Sequence, residues 1–248
     1  MKPINPIPQI WCIHGTLQTP EVWDPLEGEF TLDGKVLLFQ PENLWEEEPA
    51  GFWGWSKEFC NRVVLNGRGC RQVLMGYSLG GRLAFHAYLD NPELWSAVII
   101  VSADTGFQDE SYKERQLEID RRWGERFREE NSGELMAEWD ALPVFCGLPN
   151  LAFREVERLE GGKIADFFDR FSKGRQDDLL PRLKGMESPP ILFLSGDRDV
   201  KYGKFGRILA EKCPAITHKV IKGAGHRVPW ENREGFVEEV QAFLDRHL

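Results

Sequence analysis

Three residue types, far apart in the chain, could together make a serine reactive. Ser78 stands in Gly76-Tyr77-Ser78-Leu79-Gly80, after the apolar run Gln72-Val73-Leu74 and before a helical pattern from Leu83 to Leu89. Glycines on both sides permit a turn too tight for Cβ atoms, with the serine strained and its hydroxyl exposed at a strand end. An ordinary glycine-rich turn would look the same on the motif alone; the strand before it and the helix after it favour a nucleophile. That helix would aim its N-terminal N–H groups at the site, where they suit developing negative charge.

A reactive serine needs a base, the base needs an orienting acid, and the oxyanion needs donors. His226 closes Gly223-Ala224-Gly225-His226, just past the last expected strand, and is the expected base; a solvent-exposed loop histidine is the plainer alternative. Ser195-Gly196-Asp197-Arg198-Asp199 also follows a strand. Asp199 is the expected acid, with Asp197 as a turn residue bonding its own backbone. His86, His218 and His247 read as structural, and His14 as a prop for its loop. The oxyanion donors are expected from the backbone N–H groups of Leu79 and Thr16. Arg82 lies one helical turn past Ser78 and could hold a substrate carboxylate bidentately, or be a surface arginine paired with a cap acid. No metal-ligand spacing, P-loop or GxGxxG occurs, so neither metal nor cofactor is expected.

These residues need a scaffold that brings strand ends to one edge. Gln9–Ile13, Lys35–Phe39, Gln72–Leu74, Ala97–Val101, Ile191–Leu194 and His218–Ile221 read as strands, most of them as continuous apolar runs. Such runs are buried on both faces, as in a parallel sheet covered by helices. Helices are expected from Ser56 to Asn66, after the elbow, near Tyr202 to Cys213, and from Asn232 to Leu248. The acidic, tryptophan-bearing stretch from Glu42 to Trp55 reads as a surface loop. A charge-rich helical stretch separates the fourth and fifth strands. The expected organisation is an α/β core over 1–103 and 181–248, with an inserted helical cap over 104–180.

A formal charge of −9 argues against nucleic acid and against an anionic membrane surface, but leaves room for a small anionic substrate if arginines gather locally. No run is long and apolar enough to span a membrane, and the N-terminus lacks a signal-peptide core. Five cysteines, odd in number and without CxxC spacing, read as thiols of a reducing compartment, so a cytoplasmic protein is expected.

The order serine, acid, histidine resembles the α/β-hydrolase fold. Within it the chain is most similar to the 2-succinyl-6-hydroxy-2,4-cyclohexadiene-1-carboxylate synthases of menaquinone biosynthesis. The resemblance rests on Gly76 to Arg82; on Ser102-Ala103-Asp104-Thr105-Gly106-Phe107 leading to Asp120 and Trp123; on Trp139 with Pro143-Val144-Phe145; on Gly196 to Tyr202; and on Ala224-Gly225-His226. It implies a lyase that expels pyruvate, with Ser78 as a proton-abstracting base activated by His226 and Asp199. Arg82 and cap arginines would hold carboxylates, and Tyr77 and Trp139 would line the pocket. The chain departs from the family in four places. Phe39-Gln40-Pro41-Glu42-Asn43 replaces an Asp-x-Pro-Gly-His-Gly turn. Gln116 stands where a cap arginine is usual, with Arg115 beside it. Arg158 offers a second cap arginine, but Glu160-Gly161-Gly162 follows it where the family has an asparagine-containing turn. Asp140 replaces a tyrosine.

Two other readings stay open on sequence alone. One is a hydrolase of the same fold (an esterase, thioesterase or C–C hydrolase) acting on a small carboxylate-bearing substrate. The other is a binding protein that kept the fold, which an intact serine, histidine and acid argue against.

Overall fold

The computed structural model describes residues 7–32, 37–40, 44, 50–67, 69–156 and 160–248. Its centre is a six-stranded sheet in which every pairing is parallel, in the order β2-β1-β3-β4-β5-β6. The strands are β1 (Gln9–Ile13), β2 (Leu37–Phe39), β3 (Gln72–Tyr77), β4 (Ala97–Val101), β5 (Ile191–Gly196) and β6 (Ile216–Ile221). Residues 35 and 36 of the expected second strand lie outside the described residues.

The continuous apolar runs have a direct explanation. Along β3, Leu74 packs into one core while Val73, Met75 and Tyr77 pack into the other. In β4, Val98 and Ile100 face one side and Ala97, Ile99 and Val101 the opposite side. Side chains alternate across a sheet, so a strand covered on both faces must be apolar at every position. One face is covered by α1 (Gly51–Asn66), α2 (Leu79–Asp90) and α7 (Val200–Lys212). The other is covered by a 3-10 turn at Pro20–Leu26 and by the C-terminal helices α8 (Val228–Glu231) and α9 (Arg233–His247).

Helix α1 corrects the sequence expectation. It begins at Gly51, not near Ser56, so part of the expected surface loop is helix. Its buried stripe of Phe52, Trp55, Phe59, Cys60 and Val63 has helical spacing. Ser56 is interior, and its Oγ donates to the Trp53 carbonyl at 3.0 Å instead of capping a helix start. Trp55 is fully buried and stacks on Phe59, which in turn stacks on Trp95. Trp53 donates to Asp177 at 2.7 Å and carries Arg182 over its ring. Trp45 lies outside the described residues.

Between β4 and β5 the chain runs through α3 (Glu110–Glu129), α4 (Ser132–Asp140) and α5 (Gly161–Arg170), then a short α6 (Leu180–Leu183). Asp109 caps α3 by accepting the Tyr112 N–H, and Asn131 caps α4 by accepting those of Gly133 and Glu134. Helices α3 and α5 pack at backbone distance where Gly124 meets Ala165. Among the described residues, no helix is long and apolar enough to cross a membrane.

Phe59 is fully buried between two indoles, so Phe59→Ala removes contacts that its rigid neighbours cannot recover. The expected loss is about 3–5 kcal/mol of unfolding free energy, read as a lower urea midpoint at unchanged slope. A loss below about 1 kcal/mol would mean the aromatic stack collapses into the space.

Candidate active site

The turn after β3 leaves no room for side chains around Ser78. A Cβ on Gly76 would lie 2.3 Å from the Gly80 carbonyl oxygen, and one on Gly80 would lie 2.1 Å from that of Ile13. Ser78 takes φ 53° and ψ −112°, a conformation non-glycine residues rarely adopt. Its N–H donates to the Val101 carbonyl at 2.9 Å, tying the turn to β4. Leu79 is the first residue of α2, so its N–H belongs to the positive end of that helix. Thr16 lines the same cavity, in a turn held by the Gly15 N–H donating to the Gln18 side chain at 2.9 Å.

Asp199 and His226 arrive from the ends of β5 and β6, which lie at the same sheet edge because the strands run parallel. Asp199 caps α7: one carboxylate oxygen accepts the Tyr202 N–H at 3.1 Å, and the other accepts His226 Nδ1 at 2.8 Å. Nδ1 therefore carries the proton, leaving Nε2 to accept from Ser78 Oγ at 3.2 Å. Burial lowers the His226 pKa below its ordinary value; Asp199 opposes that shift and Lys173 and Lys201 reinforce it. A neutral imidazole so placed can withdraw the serine proton. Asp197 differs from expectation: it accepts the Gly223 N–H at 2.8 Å and pins the turn leading to His226, instead of bonding its own backbone.

The remaining histidines serve the fold. His14 and His86 are buried, and burial takes both down to about 4. His14 donates to the Gly15 carbonyl, His86 to that of Arg82. His218 bonds Ser195 Oγ, and His247 packs against Phe243.

Ser78 and His226 open into a cavity of about 240 Å³ whose wall includes Tyr77, Trp123, Trp139 and Phe145. Five cationic side chains also line it: Arg82, Arg154, Lys173, Lys201 and Arg227. Arg82 is 6% exposed and donates to the Phe171 carbonyl at 3.1 Å, with its guanidinium over the Phe52 ring. Lys173 lies 3.0 Å from the buried Asp104 and donates to Tyr202 Oη. Burial alone would raise the Asp104 pKa, but Lys173, Arg82 and Lys201 outweigh it and hold the carboxyl well below the usual range. Lys201 is taken down to about 8, by burial first and then by Lys173. Asp120 accepts Ser172 Oγ at 2.7 Å, and burial raises its pKa against that bond.

Of the residues singled out in the sequence, Ser78, His226 and Asp199 form one hydrogen-bonded chain. Thr16, Leu79, Tyr77, Arg82 and Trp139 line the cavity beside it. Arg115 is a correction: it is exposed and donates to Ser111 Oγ at 3.2 Å, while Gln116 faces the cavity. One residue turns a side chain about 100° around a helix, and α3 is not shifted to compensate. Arg158 lies outside the described residues. Asp140 bonds both Arg154 and Arg227. Sequence reasoning did not assign Arg154, Lys173, Lys201 or Arg227. Lys201 and Arg227 each sit within two residues of Asp199 or His226, which was a usable signal; Arg154 and Lys173 offered none.

The model of the Alpha/beta hydrolase family matches residues 12–239. The 2-succinyl-6-hydroxy-2,4-cyclohexadiene-1-carboxylate synthase of Salmonella newport (strain SL254) is 32% identical over 96% of this chain and 94% of its own length. The protein of that name from Yersinia pseudotuberculosis serotype O:1b (strain IP 31758) is 30% identical over 96% and 87%. Among solved structures, MenH from S. aureus superposes with TM-score 0.82 at 23% identity, covering 97% of this chain and 94% of that one. A thermophilic esterase from Thermogutta terrifontis gives 0.70 at 19%, covering 97% and 91%, so likeness of fold alone does not assign a reaction. The chain belongs to the alpha/beta hydrolase family and, within it, to the family of 2-succinyl-6-hydroxy-2,4-cyclohexadiene-1-carboxylate synthases.

Proposed function

We propose that this chain eliminates pyruvate from 2-succinyl-5-enolpyruvyl-6-hydroxy-3-cyclohexene-1-carboxylate in menaquinone biosynthesis. The product has the name its relatives carry, 2-succinyl-6-hydroxy-2,4-cyclohexadiene-1-carboxylate. The observation that carries the reading is a cavity lined by five cations, beside an activated serine, in a chain of net charge −9. The product keeps a succinyl and a ring carboxylate, and the departing pyruvate takes another, so the site must hold a polyanion.

The bond changes follow from the two names. The ring goes from a 3-ene to a 2,4-diene, so a proton leaves C2, next to the succinyl carbonyl, and the C5–O bond to the enolpyruvyl group breaks. His226 takes the Ser78 proton, and the resulting alkoxide abstracts the C2 proton. Negative charge then develops on the succinyl carbonyl oxygen, which the backbone N–H groups of Leu79 and Thr16 would stabilise. Expelled enolpyruvate gains a proton to become pyruvate, and no water is consumed. Arg82, with Lys173 and Lys201 nearby, holds carboxylate; Tyr77 and Trp139 wall the ring. Residues 104–180 act as the cap, contributing Gln116, Asp120, Trp123 and Trp139 to the cavity wall. Cys12, Cys60, Cys146 and Cys213 are free thiols, which fits a cytoplasmic setting.

The test is pyruvate release from substrate made in situ from isochorismate and 2-oxoglutarate, with spontaneous decay subtracted. Ser78→Ala is expected to lower kcat by roughly 10²–10⁴. Arg82→Ala is expected to lower kcat/KM by about 10–100-fold, the worth of a charged hydrogen bond. No release above background, with ester turnover intact, would make the chain a hydrolase.

The pH profile gives a second check. His226 acts only when neutral, and its pKa lies below the ordinary value, so the acid limb of kcat/KM should fall below pH ~6.5. Above about pH 8 Lys201 loses its charge, so KM should rise there in the native protein and stay flat in Lys201→Met. An acid limb above pH ~6.5 would exclude His226 as the base.

A further inference from the structure

Arg227 follows the base directly in the chain, and its guanidinium is fixed from two sides. Nη2 donates to one oxygen of Asp140, whose other oxygen accepts from Arg154. The guanidinium also lies 3.6 Å from the centroid of the Phe145 ring. The side chain is only 3% exposed, yet Nη1 is buried without a hydrogen-bond partner among the described residues. A buried cationic donor left unpaired is costly, and here the unpaired arm belongs to a residue that lines the cavity. Glu231, a carboxylate that also feels Arg227, accepts the Gly225 N–H through Oε2 at 2.6 Å; its Oε1 is buried without a hydrogen-bond partner among the described residues and does not pair with Nη1.

The cations of the cavity fall into two groups held by different parts of the fold. Arg82, Lys173 and Lys201 gather around Asp104, from α2, the segment before α6, and α7. Arg227 and Arg154 gather at Asp140, the last residue of α4, and Arg227 acts on Tyr77. Each group is braced by one carboxylate. Asp140 uses both its oxygens on the two arginines, which holds Arg227 in place without engaging Nη1. A guanidinium so held loses little freedom on binding, whereas a lone surface arginine would lose much.

We propose that Arg227 is a specificity-determining residue whose Nη1 binds one carboxylate of the substrate, while the Arg82, Lys173 and Lys201 group binds another. The cavity thereby selects molecules with two carboxylates over those with one. The inference rests on the pyruvate-eliminating reading for the identity of the ligand, but its test does not need turnover.

The test is calorimetric binding of 2-succinylbenzoate, an aromatic ring bearing the succinyl and carboxylate groups of the product. Two monoacids serve as comparison: 4-oxo-4-phenylbutyrate, without the ring carboxylate, and 2-propanoylbenzoate, without the succinyl one. The native protein should bind the diacid at least about tenfold more tightly than either monoacid. In Arg227→Gln the preference over one monoacid should collapse to within about twofold, while the preference over the other persists. Arg227→Lys keeps the charge and the Asp140 partner, and guards against misfolding of the glutamine variant. One ammonium cannot reproduce the fork, so it should lose part of the same preference. With the true substrate, both variants should act mainly on KM.

Three results would overturn the proposal: no diacid preference in the native protein, an unchanged preference in both variants, or an equal weakening of all three ligands. The last would mark Arg227 as a structural brace for Phe145 and Asp140. If the native protein releases no pyruvate but the preference depends on Arg227, the subsite stands and the lyase reading falls. If pyruvate is released and the preference ignores Arg227, the reverse holds.

Discussion

The arrangement depends on the absence of space between the first turn of α2 and the backbone of β1. Gly80 sits against the Ile13 carbonyl with no room for even one carbon atom, and that contact fixes how deep the helix lies on the sheet. Ser78 is then forced to positive φ, and its N–H reaches across to Val101 on the neighbouring strand. The serine is held by three central strands at once, which is why a backbone conformation that is unfavourable in isolation persists here. Asp199 and His226 need no comparable strain, because they come off adjacent parallel strands whose ends already point to the same edge.

That geometry explains what could be read from sequence. Strands buried on both faces announce themselves as unbroken apolar runs, and Ser78 and Asp199 each lie just past such a run; β6, which leads to His226, is an edge strand with Thr217 and Val220 exposed. The start of α1 was not readable, because Ser56 looks like a cap but spends its hydroxyl on a carbonyl inside the helix. Lys173 and Arg154 were not readable either. Arg154 lies in an irregular stretch between β4 and β5 and Lys173 at the start of a short 3-10 helix, and their nearness to Ser78 depends on how α3, α4 and α5 fold back. The contrast between Arg115 and Gln116 shows the limit of motif reasoning: the charge is present in the sequence, but the helix turns it to solvent.

The cavity answers the problem of holding positive charge inside a partly apolar wall. Cations there are kept by fixed carboxylates, Asp104 on one side and Asp140 on the other. Each carboxylate offsets part of the desolvation penalty and restricts the cation's orientation. Asp140 organises two arginines at once, one on each carboxylate oxygen. Aromatic faces at Phe52 and Phe145 complete the support for Arg82 and Arg227.

The two oxygens of Asp199 have separate employment, one on the first turn of α7 and one on the imidazole. The start of a helix and the alignment of a reaction centre are therefore one event. Fraying at the Val200 end would release the histidine ring, and whatever loads that ring, such as a bound anion or a gained proton, pulls on the helix start. The amide of Tyr202 thus becomes a native reporter: its exchange with solvent follows the integrity of a site whose chemistry it never touches.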